Sequence, residues 1–325
     1  MNRKNLVKAV FVCVALILVL VILYSGLRIL ESTVFFQQQD EAATETKWIV
    51  RDGVEYYPRQ DIVVVMILGI DREGKLTDQE DNSGHAADMI ALMIFDEKAE
   101  QCSVLTLNRD SMVMMPGLNE YGVEDSTYYA QLALSHSFGT GLEDSCENTR
   151  KTVSNLLYGI TIDHYISMNM DAIAVINDAV GGVTVNVVDD FSAVDPSIKM
   201  GEMTLRGEQA VRFVRARRGL GDQLNLSRME RHKAYFDGFI EALRAKIKEN
   251  TSFALSTYEK MSPYIVTDCS GTVITSMMER YADYELCEIV SPEGENTVGT
   301  QYMEFYLDEE SLDELILRLF YAPRQ

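Results

Sequence analysis

Residues 62–72 read Ile62-Val63-Val64-Val65-Met66-Ile67-Leu68-Gly69-Ile70-Asp71-Arg72. Seven apolar residues run together before the glycine, and most are β-branched. A strand with one wet face would alternate with polar residues. This run does not, so it predicts a strand buried on both faces. Residues 89–95 and 104–107 repeat the pattern. Elsewhere the period changes. Residues 142–157 have helical spacing, 165–168 read as a strand, and 170–180 read as a helix closed by Gly181-Gly182. Such a glycine pair suits the positive φ of a helix C-terminus. Residues 183–187 alternate as a strand. Interleaved strands and helices predict an α/β layered domain. Beyond Gly207 the spacing is helical, at 208–211 and again from 226 to about 248. Residues 250–325 add two helical patterns and an acidic end, and 302–307 alternate like an edge strand. No internal repeat is present.

The whole chain has 325 residues, 47% of them hydrophobic, and a formal net charge of −21. That apolar content supports a sizeable core and excludes global disorder. The acidity argues against nucleic acid as a partner, because a polyanion is repelled over most of the surface. At the N-terminus, residues 9–27 are 19 residues without a charge. A helix of this length crosses a hydrocarbon core of roughly 30 Å. Arg3, Lys4 and Lys8 precede it, which places the positive flank in the cytoplasm and the rest of the chain outside. A cleaved signal peptide is the competing reading. Its apolar region is normally about 7–15 residues, and no small-x-small site stands near Tyr24-Ser25-Gly26. The expected organisation is a cytoplasmic tail at 1–8, a transmembrane anchor at 9–30 and a juxtamembrane stalk at 31–60. A main domain follows at 61–250, then an extension at 251–325 packed on the same domain. Cys102, Cys146, Cys269 and Cys287 lie where disulfides are permitted, and their pairing stays open.

Three acidic–basic clusters follow or open the strand candidates. They are Gly69-Ile70-Asp71-Arg72, then Asp88, then Asn108-Arg109-Asp110. Strand ends are where open α/β sheets gather ligand residues. A single such pair is also an ordinary structural ion pair; three within a short span point to a site. The second signal is a basic island at 206–233. It holds Arg206, Arg212, Arg215, Arg217, Arg218, Arg228, Arg231 and Lys233 against Glu208, Asp222 and Glu230. A charge run is usually a solvated helix face. Here nearly all are arginine, the residue preferred for planar, bidentate contact with phosphate or carboxylate. Arg228 and Arg231 share a helix face at i, i+3. Together the arginines can hold a diphosphate, and Asp71 and Asp88 can hold Mg²⁺ against it. No Walker A loop, HExxH or GxSxG is present. His85, His136, His164 and His232 are scattered and read as surface or packing residues.

In this order the motifs resemble those of the LytR-CpsA-Psr family of cell-wall proteins. The resemblance rests on Leu68-Gly69-Ile70-Asp71, Asp88, Asn108-Arg109-Asp110 and Ser137-Phe138-Gly139-Thr140. It continues through Asp178-Ala179-Val180-Gly181-Gly182-Val183, Gly207-Glu208-Gln209-Ala210 and Val214-Arg215-Ala216-Arg217 to Arg228-Met229-Glu230-Arg231. It implies a three-layer αβα sandwich with a central mixed sheet and a pocket for a lipid tail. It implies a membrane-anchored, Mg²⁺-dependent phosphotransferase of mostly Gram-positive bacteria. Such an enzyme moves a glycopolymer, for example teichoic acid, from a polyprenyl-pyrophosphate carrier to peptidoglycan. Carried over by position, Asp71 and Asp88 hold the metal. Arg72, Arg109, Arg215, Arg217, Arg228 and Arg231 hold the pyrophosphate. Asp110 either orients Arg109 or acts as a base. The chain departs from the family pattern at Ala86, at Gln131-Leu132-Ala133, where a lysine is frequent, at His232, and in the placement of Arg72 directly after Asp71.

Two other functions stay open on the sequence. One is hydrolysis of the lipid pyrophosphate in the same site, with water as acceptor. The other is a non-catalytic binding or regulatory anchor in the cell envelope.

Overall fold

The computed structural model describes residues 48–76, 85–119, 121–216, 225–250, 252–299 and 302–324, with backbone only at 225–230. The apolar segment 9–30, Arg217 and the side chain of Arg228 lie outside the described residues. Among the described residues, no helix is long and apolar enough to cross a membrane.

The described chain forms two compact units, divided after Pro58 and again after Tyr321. In the smaller, strand β1 (Ile49–Arg51) pairs antiparallel with β2 (Val54–Pro58). Arg324 donates its backbone N–H to the Glu55 carbonyl at 2.7 Å and its guanidinium to the Glu55 carboxylate at 2.5 Å. The later part of the expected stalk is therefore a β-ribbon.

The larger unit begins with the continuous apolar run before Asp71. It is β3 (Ile62–Ile70), followed by β4 (Ala87–Asp96) and β5 (Gln101–Leu107). A hairpin of β6 (Met112–Leu118) and β7 (Glu124–Gln131) comes next, then a 3-10 turn at Leu132–Ser137 and helix α1 (Glu143–Leu156). Strand β8 (His164–Asn169) leads directly into α2 (Met170–Ala179), which Asn169 caps by accepting from the Ala172 N–H. A second hairpin, β9 (Val183–Val187) and β10 (Gly201–Leu205), is followed by α3 (Glu208–Arg215) and the long α4 (Asn225–Glu249). The remaining elements of this unit are α5 (Phe253–Met261), β11 (Ile265–Thr267), α6 (Gly271–Tyr281), β12 (Glu285–Val290), β13 (Gly294–Val298), β14 (Met303–Leu307) and α7 (Glu309–Phe320), whereas β15 (Tyr321–Pro323) runs into the smaller unit as the third strand of its sheet, beside β2.

Six strands form one mixed sheet in the order β11-β8-β3-β4-β5-β12. β3 runs parallel to β8 and antiparallel to β4, and β12 runs parallel to β5. Both sheet edges come from the region beyond residue 250. The expected extension at 251–325 therefore builds the central sheet as well as packing on it. Its strands are short or partly exposed, so their pairing does not show as local periodicity.

The continuous apolar run of β3 has its expected cause, burial on both faces. Val65 packs with Ala91, Phe95, Cys102 and Val104 against Phe236 of α4 and Met277 of α6. Phe95 stacks on Tyr281 with ring centroids 4.1 Å apart. Met66, Leu68, Leu92 and Leu105 are fully buried on the opposite face. On that face Tyr165 of β8 lies beneath the Arg150 guanidinium of α1, 5.9 Å from the ring centroid. Helices thus cover both faces of the sheet. A second core joins β9 and β10 to α3 and α4, with Phe191 stacked on Phe213 at 5.4 Å. Gly181 and Gly182 end α2 with φ of +91° and +94°, the expected left-handed exit. Cys102, Cys146, Cys269 and Cys287 are all free thiols.

Candidate functional site

Four of the candidate residues meet at one end of the central sheet. β3 ends there at Ile70, which pairs with Ala87 at the start of β4, and Leu107 at the end of β5 pairs with Ile90. Asp71, Asp88, Arg109 and Asp110 therefore leave three adjacent strand ends on the same side of the fold. Gly69 permits the close pairing. A Cβ there would lie 3.0 Å from the Met89 Cβ.

Asp88 owes its position to a bulge. Gly69 pairs with Met89 but Ile70 pairs with Ala87, so Asp88 is an extra residue on β4. A bulged residue is turned out of the ladder and its side chain is re-aimed. The Asp88 carboxylate accepts from Arg109 Nη1. Arg109 Nε also reaches Asp110 Oδ1 at 3.3 Å, and all three side chains are mostly buried, between 22% and 28% exposed. Gln131 closes the cluster. Its amide donates to Asp110 Oδ1 at 2.9 Å and to the Met303 carbonyl at 2.7 Å. On the sequence Gln131 counts only as the loss of a family lysine. In the structure it fixes Asp110, and thereby the plane of Arg109.

The second arm comes from α3. Arg215 Nη2 donates to Asp71 Oδ1 at 2.6 Å, and both side chains are more than 40% exposed. Such a pair is worth little to stability and gives way readily to a better partner. Arg72 stands beside it. Its carbonyl accepts from the Met170 N–H at 3.1 Å, and its side chain lines a small cavity with His85, His136 and Asn169. That cavity holds about one water molecule, not a lipid tail.

The rest of the basic island divides. Arg212 donates to the buried Asp195 at 3.0 Å. Arg231 lies in the interior at 4% exposure, not on an open helix face. Its Nη1 donates to Asp189 at 2.7 Å and its Nη2 to the Ala216 carbonyl at 2.7 Å. The i, i+3 spacing with Arg228 suggests a shared ligand face. These contacts of Arg231 fasten the end of α3 to the loop after β9.

His136 follows the packing reading. His136 is 1% exposed, and its Nδ1–H donates to the His85 carbonyl at 2.6 Å. Burial holds its imidazole below the usual histidine range. The neighbouring Cys146 thiol, 3.8 Å from His136 Nε2, is pushed up to about 12 by burial.

The donor chemistry at the strand ends suits a hard cation and a diphosphate. Asp71 and Asp88 would offer hard carboxylate oxygens to a cation of the Mg²⁺ kind, which favours oxygen ligands. The arginine forks present paired N–H donors to phosphate oxygens.

The model of the LytR_cpsA_psr family matches residues 29–319. The polyisoprenyl-teichoic acid–peptidoglycan teichoic acid transferase TagU of Oceanobacillus iheyensis is 27% identical over 238 residues, covering 70% of this chain and 65% of that protein. TagU of Bacillus subtilis is 26% identical over 203 residues, 62% of this chain and 59% of that protein. The matches thus span less than two thirds of these relatives' length. A solved structure titled "TagT bound to LI-WTA" superposes with a TM-score of 0.60 at 21% identity, covering 80% of this chain and 90% of that one. At that identity the superposition shows a common fold.

Proposed function

Because the chain belongs to the LytR_cpsA_psr family, we propose that it transfers a cell-wall glycopolymer from a polyprenyl-pyrophosphate carrier to peptidoglycan. The observation that carries this reading is the meeting of Asp71, Asp88, Arg109 and Arg215 at one sheet end, with each arginine facing a carboxylate. An acceptor hydroxyl of peptidoglycan attacks the phosphorus next to the glycan. The P–O bond to the polyprenyl phosphate breaks, that phosphate leaves, and a phosphodiester joins glycan to wall. The hydroxyl proton passes to solvent or to a carboxylate of the site.

Arg109 and Arg215 are the groups best placed to grip the diphosphate, with Arg72 beside them and Arg217 and Arg228 contributing from the same island. Asp71 and Asp88 would hold Mg²⁺, which neutralises charge on the phosphates when bound. Asp110 takes the orienting role, since Arg109 and Gln131 both bind its Oδ1. Arg231 supports the site from beneath. The segment 9–30, free of charge from 9 to 27, anchors the chain in the cell membrane with the catalytic unit outside, where lipid-linked glycan and peptidoglycan are both present.

The test is direct. The full-length chain is incubated with lipid-linked glycopolymer, Mg²⁺ and peptidoglycan. Glycan is expected in the sedimenting wall fraction, linked through phosphodiester. Glycan released only into solution identifies a hydrolase and rejects the transferase.

A further inference from the structure

At the opposite end of the central sheet, three metal-ligating side chains of different chemistry converge. His164 opens β8, and Asp268 and Cys269 form the turn between β11 and α6. Their ligand atoms all lie within 4.8 Å of one another. His164 pairs with Val65, whereas Asn169 pairs with Ile70 at the catalytic end. Five residues of strand, roughly 17 Å, separate the two ends.

The cluster is pre-shaped. His164 Nδ1 lies 3.5 Å from Asp268 Oδ2, and Cys269 Sγ lies 3.6 Å from Asp268 Oδ1. Tetrahedral ligands at normal Zn–N, Zn–O and Zn–S distances stand about 3.3–3.8 Å apart. His164 Nδ1 is shielded from solvent yet makes no hydrogen bond. A buried ring nitrogen without a hydrogen bond is costly, and a metal ion shared with the nearby Asp268 carboxylate removes the cost. The turn is also braced as a ligand turn needs to be. Asp268 Oδ1 accepts the Tyr165 N–H at 3.1 Å. Thr267 Oγ1 accepts the Cys269 N–H at 3.1 Å and donates to the Tyr165 carbonyl at 2.7 Å. Cys269 is 7% exposed, while the His164 and Asp268 side chains keep 34% and 24% exposure and give an ion its way in.

One group opposes a cation. Arg150 Nη1 lies 3.6 Å from Asp268 Oδ2. It is itself paired with Glu147 at 2.5 Å, which offsets its charge.

We propose that His164, Asp268 and Cys269 form a binding site for a thiophilic divalent metal of the Zn²⁺ class. The mixed nitrogen, oxygen and sulfur set selects such an ion over Mg²⁺ or Ca²⁺, which take oxygen ligands. On binding, Cys269 loses its thiol proton to water as the sulfur–metal bond forms. The fourth position faces solvent and takes a water molecule. The metal fastens the edge strand β11 to β8, and does so apart from the transfer chemistry.

Full-length chain stripped with chelator is titrated with Zn²⁺ alone by calorimetry and with Co²⁺ alone by absorption. One equivalent is expected to bind, with a near-ultraviolet thiolate-to-cobalt band. Cys269→Ser should abolish the band, His164→Ala should weaken Zn²⁺ about tenfold or more, and Arg150→Gln should tighten it. Asp71→Asn with Asp88→Asn should leave it unchanged. On the unmodified chain, Zn²⁺ should protect Cys269 from alkylation while the exposed Cys287 still reacts. The proposal is overturned if the band is missing or survives Cys269→Ser. It is equally overturned if Cys269 alkylates at the same rate with and without Zn²⁺, or if the Asp71/Asp88 variant loses the site.

Discussion

Replacement of Arg231 tests the claim that the basic island is not a uniform phosphate-binding surface. Arg231→Ala removes a guanidinium that is 4% exposed and bonded to Asp189 and to the Ala216 carbonyl. Breaking a buried ion pair by removing one partner costs about 3–5 kcal/mol, because the other charge is left in a poor environment. Asp189 keeps 17% exposure and can recruit water, so the lower end applies. The Ala216 carbonyl loses a charged donor, which adds about 1 kcal/mol. The sum, about 3–4 kcal/mol, corresponds to a fall in melting temperature of roughly 6–12 °C for a unit of this size. The measurement is thermal unfolding of the full-length chain, followed by circular dichroism. Arg231→Lys keeps the charge but not the fork, and should recover about half of the loss. A double-mutant cycle with Asp189→Asn should show coupling of about 1–3 kcal/mol. A change below about 1 kcal/mol for Arg231→Ala, together with lost diphosphate-lipid affinity, would refute the argument. Arg231 would then be a ligand-binding arginine.

The other expectations concern the site and its support. Arg109→Lys exchanges a fork for a point charge, so transfer should fall by about tenfold to a hundredfold. Its melting temperature should move little because the pair is only partly buried; a large thermal shift with intact activity contradicts the assignment. Each site arginine rests against a carboxylate, so a diphosphate takes the arginine while a cation takes the freed carboxylate. Mg²⁺ and a prenyl diphosphate should therefore raise each other's affinity by the same factor. Calorimetry of the lipid analogue with and without Mg²⁺ measures this, and equal affinities dismiss the exchange. His136 is buried neutral with its titration depressed, so the unfolded chain binds more protons than the native chain just below its unfolded pKa. Stability is complete above about pH 6.5 and should decline as pH falls from there toward the folded pKa. A His136→Gln variant should flatten that part of the melting-temperature profile, and an unchanged slope removes His136 as its source. Gly182→Ala places a Cβ 2.7 Å from Thr204 Cγ2 and 2.8 Å from the Leu205 carbonyl, at φ +94°. Strain and clash should together cost about 2 kcal/mol or more by denaturant unfolding, and a neutral result contradicts the geometry.

What the sequence reveals depends on where each residue's environment comes from. β3, β4 and β5 are legible because burial on both faces demands unbroken apolar runs, and that demand is local. β7 is mostly exposed and polar, and it is a strand only because β6 lies beside it. β11 has three residues and β12 pairs in parallel across a long connection, so neither leaves a period to read. This is why a boundary drawn at residue 250 divides a sheet whose edges come from beyond it. The site follows the same rule. Asp71 and Arg109 are legible because strand ends are visible in the sequence. The bulge that turns Asp88 toward Arg109 is a matter of register between two strands. Gln131 carries no charge, so its hold on Asp110 leaves no signal beyond a missing lysine. Arg231 shares its helix with exposed residues, and it is distant segments, Asp189 and the Ala216 carbonyl among them, that meet it in the interior.

The same distinction changes the meaning of the charge count. Eight basic residues within 206–233 look like an open positive surface in a chain of net charge −21. In the fold, Arg212, Arg215 and Arg231 each meet an aspartate supplied from a distant segment. Two of those aspartates, Asp195 and Asp189, are themselves largely buried and hold their arginines in place. Asp71 is exposed and adjoins the strand ends where the other carboxylates gather. Arg215 can therefore change partners without leaving a charge stranded in the interior, whereas Arg212 and Arg231 would each strand one. Positive charge is available to an anion only where its resting partner can be re-solvated or can take up a cation. Of the described arginines in the island that meet an aspartate, Arg215 satisfies that condition.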